Sequence, residues 1–437
     1  MNTSKVPLPS VTKPVQEISF FTSNKKVIIT ILVVVIVIAI AVGLYVYYKE
    51  LAKTPQEKNA ITQGKREDYL NNQYSPKTTK SLGELFNTVK DSQRYLINFS
   101  PLTASLGGYI GPKKGGTFNV PFYLDKALRS GIRSFVLPIS TYKDNNKNPP
   151  DYPSSGDPAI VCRNKEDRTK IESFNGTSVG EFSKLLMNAS SVNGAQINEP
   201  FLLFIQEEKG FVPDYVKDEE AYVIFMSKIA QQIQDGVGRG NMVTNLGEYG
   251  DATGGRRENE LLCTIPINNF YGKVLIFTDF KTDLHLKSKY DTIVPRLHDF
   301  VNFIYKDTTS LEGSQDVRQA VKVRLEDVGS AVNWTDQART KWHITSLDDP
   351  TVMPSTDAFE SAFRKGIQSI PIPFFMLNED EQDKSDDILK RWGGFAWRVK
   401  EIDTRFTKPA PVVPAKPSAK MNPRASPNLQ PGQVAIL

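Results

Sequence analysis

The chain is poor in the side chains that most often carry nucleophilic, metal-binding and proton-transfer chemistry. It has three histidines and two cysteines in 437 residues. Cys162 and Cys263 make no disulfide framework, which leaves open one bridge or two buried free thiols. Charge of one sign is also lacking. The net charge is only +5 and is spread along the chain, so nothing marks a nucleic-acid binder. No internal repeat is visible. "GGYIGPKKGG", Gly107 to Gly116, is rich in glycine and lysine but lacks the lysine–serine/threonine ending of a P-loop. "DGVGRGN" follows a helical pattern instead of a strand, which excludes a dinucleotide fingerprint. "NEDEQDKSDD", Asn378 to Asp387, lacks the central glycine and terminal glutamate of a calcium loop and reads as a solvated acidic loop.

One long apolar run is present. Between Lys26 and Lys49 there is no charge, and Val27 to Val46 is apolar almost throughout. At 1.5 Å per residue these positions reach about 30 Å, the thickness of a bilayer's hydrocarbon core. In lipid the backbone must satisfy its own hydrogen bonds, so a single such segment is expected to be helical. Tyr45, Tyr47 and Tyr48 stand where an aromatic interface belt belongs. A cleaved signal would have a shorter apolar region nearer the start, so an uncleaved anchor is the expectation. Lysines flank both ends and leave the topology open. The sequons at Asn98, Asn175, Asn188 and Asn333 would favour a lumenal body if glycosylated.

The expected organisation is a flexible tail over 1–24, a transmembrane helix over 25–48, a charged stalk over 49–80, a folded body over 81–407 and a tail over 408–437. The last segment holds seven prolines, four basic residues and no acids. Such a composition does not fold alone, and the tail is either an inert terminus or a docking arm for a protein partner. In the body, short apolar runs alternate with amphipathic stretches, which argues for an α/β layer architecture. Strands are expected in "RYLINFS", "RSFVLPIS", "PAIVC", "PFLLFIQ", "GKVLIFTDF", "KWHITSL", "QSIPIPFFML" and "FAWRVK". Helices are expected in "VPFYLDKALRSG", "SVGEFSKLLMNAS", "EEAYVIFMSKIAQQI", "TIVPRLHDFVNFIYKD", "SQDVRQAVKVRLEDVG" and "STDAFESAFRKG", with a further one from Lys49 to Tyr69 in the stalk. Strands and helices in this alternation suggest a closed (β/α) barrel.

Laid end to end, these segments resemble the X-domain of phosphoinositide-specific phospholipases C. The likeness runs from "RYLINFSPLTASLGG" through "YLDKALRSGIRSFVLPIS", "DPAIVCRNKEDRTKIESFNGTSVGEFSKLL" and "EPFLLFIQEE" to "NNFYGKVLIFTDF". The resemblance implies a TIM-type barrel of the phosphodiesterase kind. It also implies two histidines as base and acid, chemistry that needs a pKa near the working pH. In this chain the matching positions hold Pro101 and Asn164. Calcium-binding positions of the family fall on Leu102, Val136, Pro138 and Gln206, three of which have no side-chain oxygen. A slip of one residue would bring Glu207 to the site face in place of Gln206, and one carboxylate does not make a calcium cage.

The three histidines, His285, His298 and His343, read as packing or surface residues, with His285 the one nearest a barrel mouth. The expectation is therefore a membrane-anchored barrel that is not an enzyme. It would need no cofactor or metal and would act as a scaffold or recognition protein at a cellular or virion membrane. Two alternatives stay open: an active phosphodiesterase with an unconventional site, and headgroup binding without turnover. For an anionic headgroup the candidate contacts are Lys113, Lys114, Arg133, Arg163 and Lys165.

Overall fold

The architecture is that of a computed structural model. It describes residues 25–74, 80–142, 153–154, 156–164, 166–167, 169–192, 198–243, 265–307, 319–329, 338–346, 350–376 and 379–407. The two terminal tails, Lys165, Cys263 and Asn333 lie outside these residues.

Helix α1, Lys25–Ala52, has no buried residue. By length and composition it can cross a membrane, properties that a signal sequence near the N-terminus shares. Thr54 ends the run. Its hydroxyl caps the Glu57 N–H, the Glu57 carboxylate caps the Thr54 N–H, and Pro55, which has no N–H to give, opens α2, Pro55–Gln73. The stretch expected to be a stalk is thus mostly helix, and its second half is packed: Leu70 and Tyr74 are buried in the outer core of the body. A short helix α3, Leu82–Phe86, follows.

Among the described residues the body is built on ten strands. They are β1 Phe99–Ala104, β2 Ile132–Thr141, β3 Pro158–Ala159, β4 Phe201–Glu207, β5 Val274–Thr278, β6 Phe303–Asp307, β7 Gln319–Arg324, β8 Trp342–Ser346, β9 Pro371–Ile372 and β10 Trp397–Val399. Strands β1, β2, β4, β5, β6, β7 and β8 pair in parallel in that order. Strand β9 pairs in parallel with β1, and a parallel bridge from Ile344 to Ser369 joins it to β8, so eight parallel strands form a nearly closed barrel. Strands β3 and β10 are antiparallel additions at the far end of β2 and the near end of β1.

Alternation along the strands separates two cores. Inside the barrel, Phe204 packs against Phe277 at 4.5 Å between ring centroids, and Phe277 stacks on Phe303 at 4.6 Å. Trp342 and Trp397 belong to the same inner cluster. On the outer face Leu203, Ile205, Ile276 and Val321 pack against helices α4 Val120–Arg129, α5 Val179–Val192, α6 Glu219–Val237, α7 Thr356–Arg364 and α8 Glu379–Arg391. The starts of these helices are written in their caps. Asn119, Ser178, Asp218 and Ser355 each accept a backbone N–H three residues on. Helices α5 and α6 touch where Gly180 meets Gly236. A methyl group at Gly236 would come within 2.6 Å of the Gly180 carbonyl, so glycine permits the contact.

Several expected elements move. "RYLINFS" contains a 3-10 turn, Leu96–Asn98, and the strand begins only at Phe99. "PAIVC" gives only the short hairpin strand β3. "TIVPRLHDFVNFIYKD" contains a 3-10 turn and strand β6, because Pro295 interrupts a helix while Phe303 and Tyr305 alternate with Ile304. "SQDVRQAVKVRLEDVG" contains β7, with Ala320 in the inner core and Val321 and Val323 in the outer one. Two-residue periodicity was present there but masked by interleaved charge. From Glu379 on, the stretch expected to be an acidic loop is instead helix α8.

Candidate functional site at the barrel mouth

The strands end together at one face, the C-terminal face where barrels of this architecture place their chemistry. A cavity of about 30 Å³, room for roughly one water, opens between Ser105, Val136, Gln206, Tyr305, Lys322 and Ile344, with Pro350 and Pro371 beside them. Its edge is partly closed by the Ser105 hydroxyl, which donates to the Pro350 carbonyl at 2.7 Å. Thr345 also lines the cavity, and its buried hydroxyl has no partner among the described residues.

Next to the cavity stand the charges. Asp279 follows β5 directly. Its Oδ1 accepts the Glu207 N–H at 2.6 Å, and its Oδ2 lies 3.8 Å from the Lys322 ammonium. Burial raises the Asp279 carboxyl to about 6, against the opposing pull of Lys322. Burial also raises Glu207, whose carboxylate accepts from the Tyr222 hydroxyl at 2.9 Å. Tyr222 in turn accepts the Lys281 N–H at 3.2 Å, which ties α6 to the segment after β5. Tyr305, over whose ring Lys322 lies at 5.9 Å, is pushed up first by burial and then by Asp279. A carboxyl near 6 can take or give a proton at neutral pH, and Lys322 supplies the adjacent positive charge. Among the described residues no three metal-ligating acids, histidines or cysteines gather, so Asp279 and Glu207 fall short of a calcium shell.

The positions matched to the phospholipase pattern scatter. Val136 and Gln206 line the cavity. Pro138 is the register partner of Gln206. Leu102 belongs to the outer core and faces away. Pro101 sits in the lower half of β1 opposite Trp397 of β10, and the residue that reaches the mouth from that strand is Ser105. Asn164 organises its own loop. It accepts the Glu166 and Asp167 N–H groups, each at 2.8 Å, and donates to Glu172. Gln206, not Glu207, faces the cavity, so the one-residue slip does not occur.

The cationic candidates do not form one patch either. Arg133 is buried at the opposite end of the barrel, bound to Glu199 at 2.6 Å and to the Leu128 and Ile132 carbonyls. Arg163 is paired with Glu208 at 3.0 Å and stacked on Phe211 at 3.9 Å. Lys113 binds Glu381 at 2.8 Å, Lys114 is exposed, and Lys165 lies outside the described residues.

All three histidines stand away from the lumen. His285 is buried in the turn Thr282–Leu286 with neither ring nitrogen partnered among the described residues, and burial lowers it to about 4. His298 lies in the turn Leu297–Asp299. His343 alternates outward between the inner-core residues Trp342 and Ile344, and burial lowers it to about 3. The sequence reading missed Asp279, although an acid directly after an apolar strand was a usable signal. It missed Tyr305 and Lys322 because both fell in stretches read as helix.

No protein-family model and no curated protein matches the sequence. Among solved structures the chain is similar to L. pealei PLC21, with a TM-score of 0.49 and 11% identity over 73% of this chain and 39% of that one. It therefore spans about two fifths of that protein's length. It is also similar to a calcium-dependent phosphoinositol-specific phospholipase C from Pseudomonas, with a TM-score of 0.40 and 13% identity over 71% of this chain and 98% of that one. A glycerophosphodiester phosphodiesterase from Parabacteroides distasonis gives a TM-score of 0.36 and 7% identity over 67% and 98%. All three neighbours are matched at low identity.

Proposed function

We propose that this chain is a membrane-tethered, phospholipase-C-like barrel that works by position, as a scaffold or recognition module at a cellular or virion membrane, and does not run a histidine relay. The observation that carries this reading is the placement of the three histidines. His285 and His343 are buried outside the lumen, and burial lowers both far below neutrality. A base and an acid facing one phosphodiester need two groups in the mouth that exchange protons near the working pH. The narrow cavity walled by Val136, Ile344, Pro350 and Pro371 fits the same reading.

The test is hydrolysis by the purified full chain of phosphatidylinositol, phosphatidylcholine and sphingomyelin, with and without calcium. No release of diacylglycerol, ceramide or phosphorylated headgroup is the expected result. Turnover that is lost on replacing His285 would overturn it.

A second reading has its own observation, the Asp279–Lys322 pair. It predicts a phosphodiesterase in which Asp279 moves the proton and Lys322 steadies the phosphate. Turnover lost in both Asp279→Asn and Lys322→Met, and kept when His285 is replaced, would establish that reading in place of the first.

A further inference from the structure

The path of α2 fixes which end of the barrel points toward the apolar helix. Three levels can be read along it. At the level of the mouth, the Arg66 guanidinium donates to the Ile110 carbonyl at 2.6 Å and to the Phe375 carbonyl at 3.0 Å. Ile110 follows the C-terminal end of β1 and Phe375 that of β9. Beside it, Glu67 accepts from Asn119, the residue that caps the mouth-side start of α4, at 2.6 Å. Eight residues on, the Tyr74 hydroxyl donates to the Phe374 carbonyl at 2.6 Å and reaches Ser385, midway down α8. Beyond it, the Lys80 N–H meets the Gly394 carbonyl at 2.8 Å, past the lower end of α8. The Leu82 N–H then meets Glu199, just before β4 begins, at 2.7 Å. The chain therefore descends from mouth to base.

Running the same helix backward from Arg66, its start at Pro55 lies 11 residues above the rim contacts, about 16.5 Å at 1.5 Å per residue. Only Lys53 and Thr54 separate it from the end of α1. A second observation agrees. The exposed apolar residues Val216, Leu286 and Val352 lie on segments that follow the C-terminal ends of β4, β5 and β8. Each of the three exposes apolar area at the mouth that contact with lipid would cover, while Val294 and Ile402 are exposed elsewhere on the body.

We propose that the open end of the barrel is held against the bilayer that α1 crosses, with α2 as a strap bolted to the rim by Arg66 and with Val216, Leu286 and Val352 as the surface that meets lipid. The inference rests on reading α1 as a membrane span, and it names the partner of the mouth: a lipid surface.

The full chain is reconstituted in phosphatidylcholine–phosphatidylserine vesicles carrying a trace of headgroup-dye lipid. A fluorescent amino acid is incorporated at position 286, at the mouth, or at position 271, in the turn before β5 at the base. Energy transfer to the lipid dye is expected to be at least twofold greater from position 286. The double variant Arg66→Ala, Tyr74→Phe is expected to bring the two positions closer together. Equal transfer, or more from position 271, in protein that survives alkaline extraction overturns the orientation and leaves the anchor standing. Protein lost on alkaline extraction overturns the anchor and the proposal with it. Shielding of position 286 in detergent that grows with protein concentration would assign the face to a second copy, and also overturns the proposal.

Discussion

The base and the mouth of the barrel treat buried charge in opposite ways. At the base, Arg133 and Glu199 are each less than a tenth exposed and satisfy each other at 2.6 Å, while Glu199 also anchors the Leu82 N–H. At the mouth, Asp279 keeps 3.8 Å from Lys322 and is pushed toward its neutral form. The first arrangement is geometry that closes a fold. The second is a buried carboxyl that keeps its proton to a higher pH than usual, beside a lysine that only partly offsets the burial. Breaking the base should therefore cost most. Glu199→Ala leaves a buried guanidinium without its carboxylate and an N–H of α3 without an acceptor, and is expected to remove about 3–5 kcal/mol. Urea unfolding measures it. A loss below about 1 kcal/mol would mean that the base is wetter than its exposures indicate.

Arg66 is the intermediate case, because it is half-buried and donates to two backbone carbonyls. Charged donors to carbonyls are worth about 1.5–3 kcal/mol each, and the pair share one side chain. Arg66→Ala is expected to lower stability by about 2 kcal/mol. It should also raise proteolysis within residues 55–74, which limited trypsin digestion would detect, while leaving the inner aromatic cluster intact by near-ultraviolet circular dichroism.

Asp279 should show the smaller effect and the opposite sign. Its folded pKa, about 6, lies above the usual 3.8. Between about pH 4 and pH 6 the folded state therefore binds more protons than the unfolded one, and the contribution of this group to stability falls as pH rises through that window. Asp279→Asn keeps the acceptor for the Glu207 N–H and removes the buried charge. It is expected to gain on the order of 1 kcal/mol at pH 7, after the lost attraction to Lys322, and nothing at pH 4. His285 tilts the other way. It is lowered to about 4 from 6.5, so its contribution is lost as pH falls from 6.5 to 4. Urea midpoints of Asp279→Asn and His285→Leu at pH 4, 5, 6 and 7 should diverge in opposite directions. A gain for Asp279→Asn that is equal at every pH would dismiss the raised carboxyl.

The same division explains what was legible in the sequence. In the first half of the barrel, apolar strands such as "RSFVLPIS" and "PFLLFIQ" are joined by capped amphipathic helices, and both signals read correctly. After β5 the crossover to β6 consists of 3-10 turns, including Thr282–Leu286, Ser288–Tyr290 and Leu297–Asp299, and the helical period vanishes. Strands β6 and β7 are short, carry two charges each and are flanked by residues with helical spacing, so pattern alone assigns them wrongly. The site went with them, since Tyr305 and Lys322 face the cavity only if their segments are strands. Arg133 and Arg163 show a second limit of the sequence. Sequence gives charge but not partner, and both guanidiniums are already bound to carboxylates.

Lys113 carries that last point to its smallest measurable size. Its ammonium and the Glu381 carboxylate are about a quarter exposed and 2.8 Å apart, bridging the loop after β1 to the first half of α8. Partly solvated pairs of this kind are worth about 0.2–1 kcal/mol. A double-mutant cycle of Lys113→Ala and Glu381→Ala is expected to give a coupling of about 0.5 kcal/mol at low salt and almost none near 1 M, where the screening length is about 3 Å. A coupling that survives high salt would show the pair to be drier than its exposure suggests and fixed as firmly as the base. A coupling of zero at low salt would free Lys113 to meet an anionic headgroup. The intermediate value expected here means that any anion reaching this loop must first displace a carboxylate, which makes Lys113 a weak recruiter and leaves Lys114, exposed beside it, as the lysine of this loop more open to lipid.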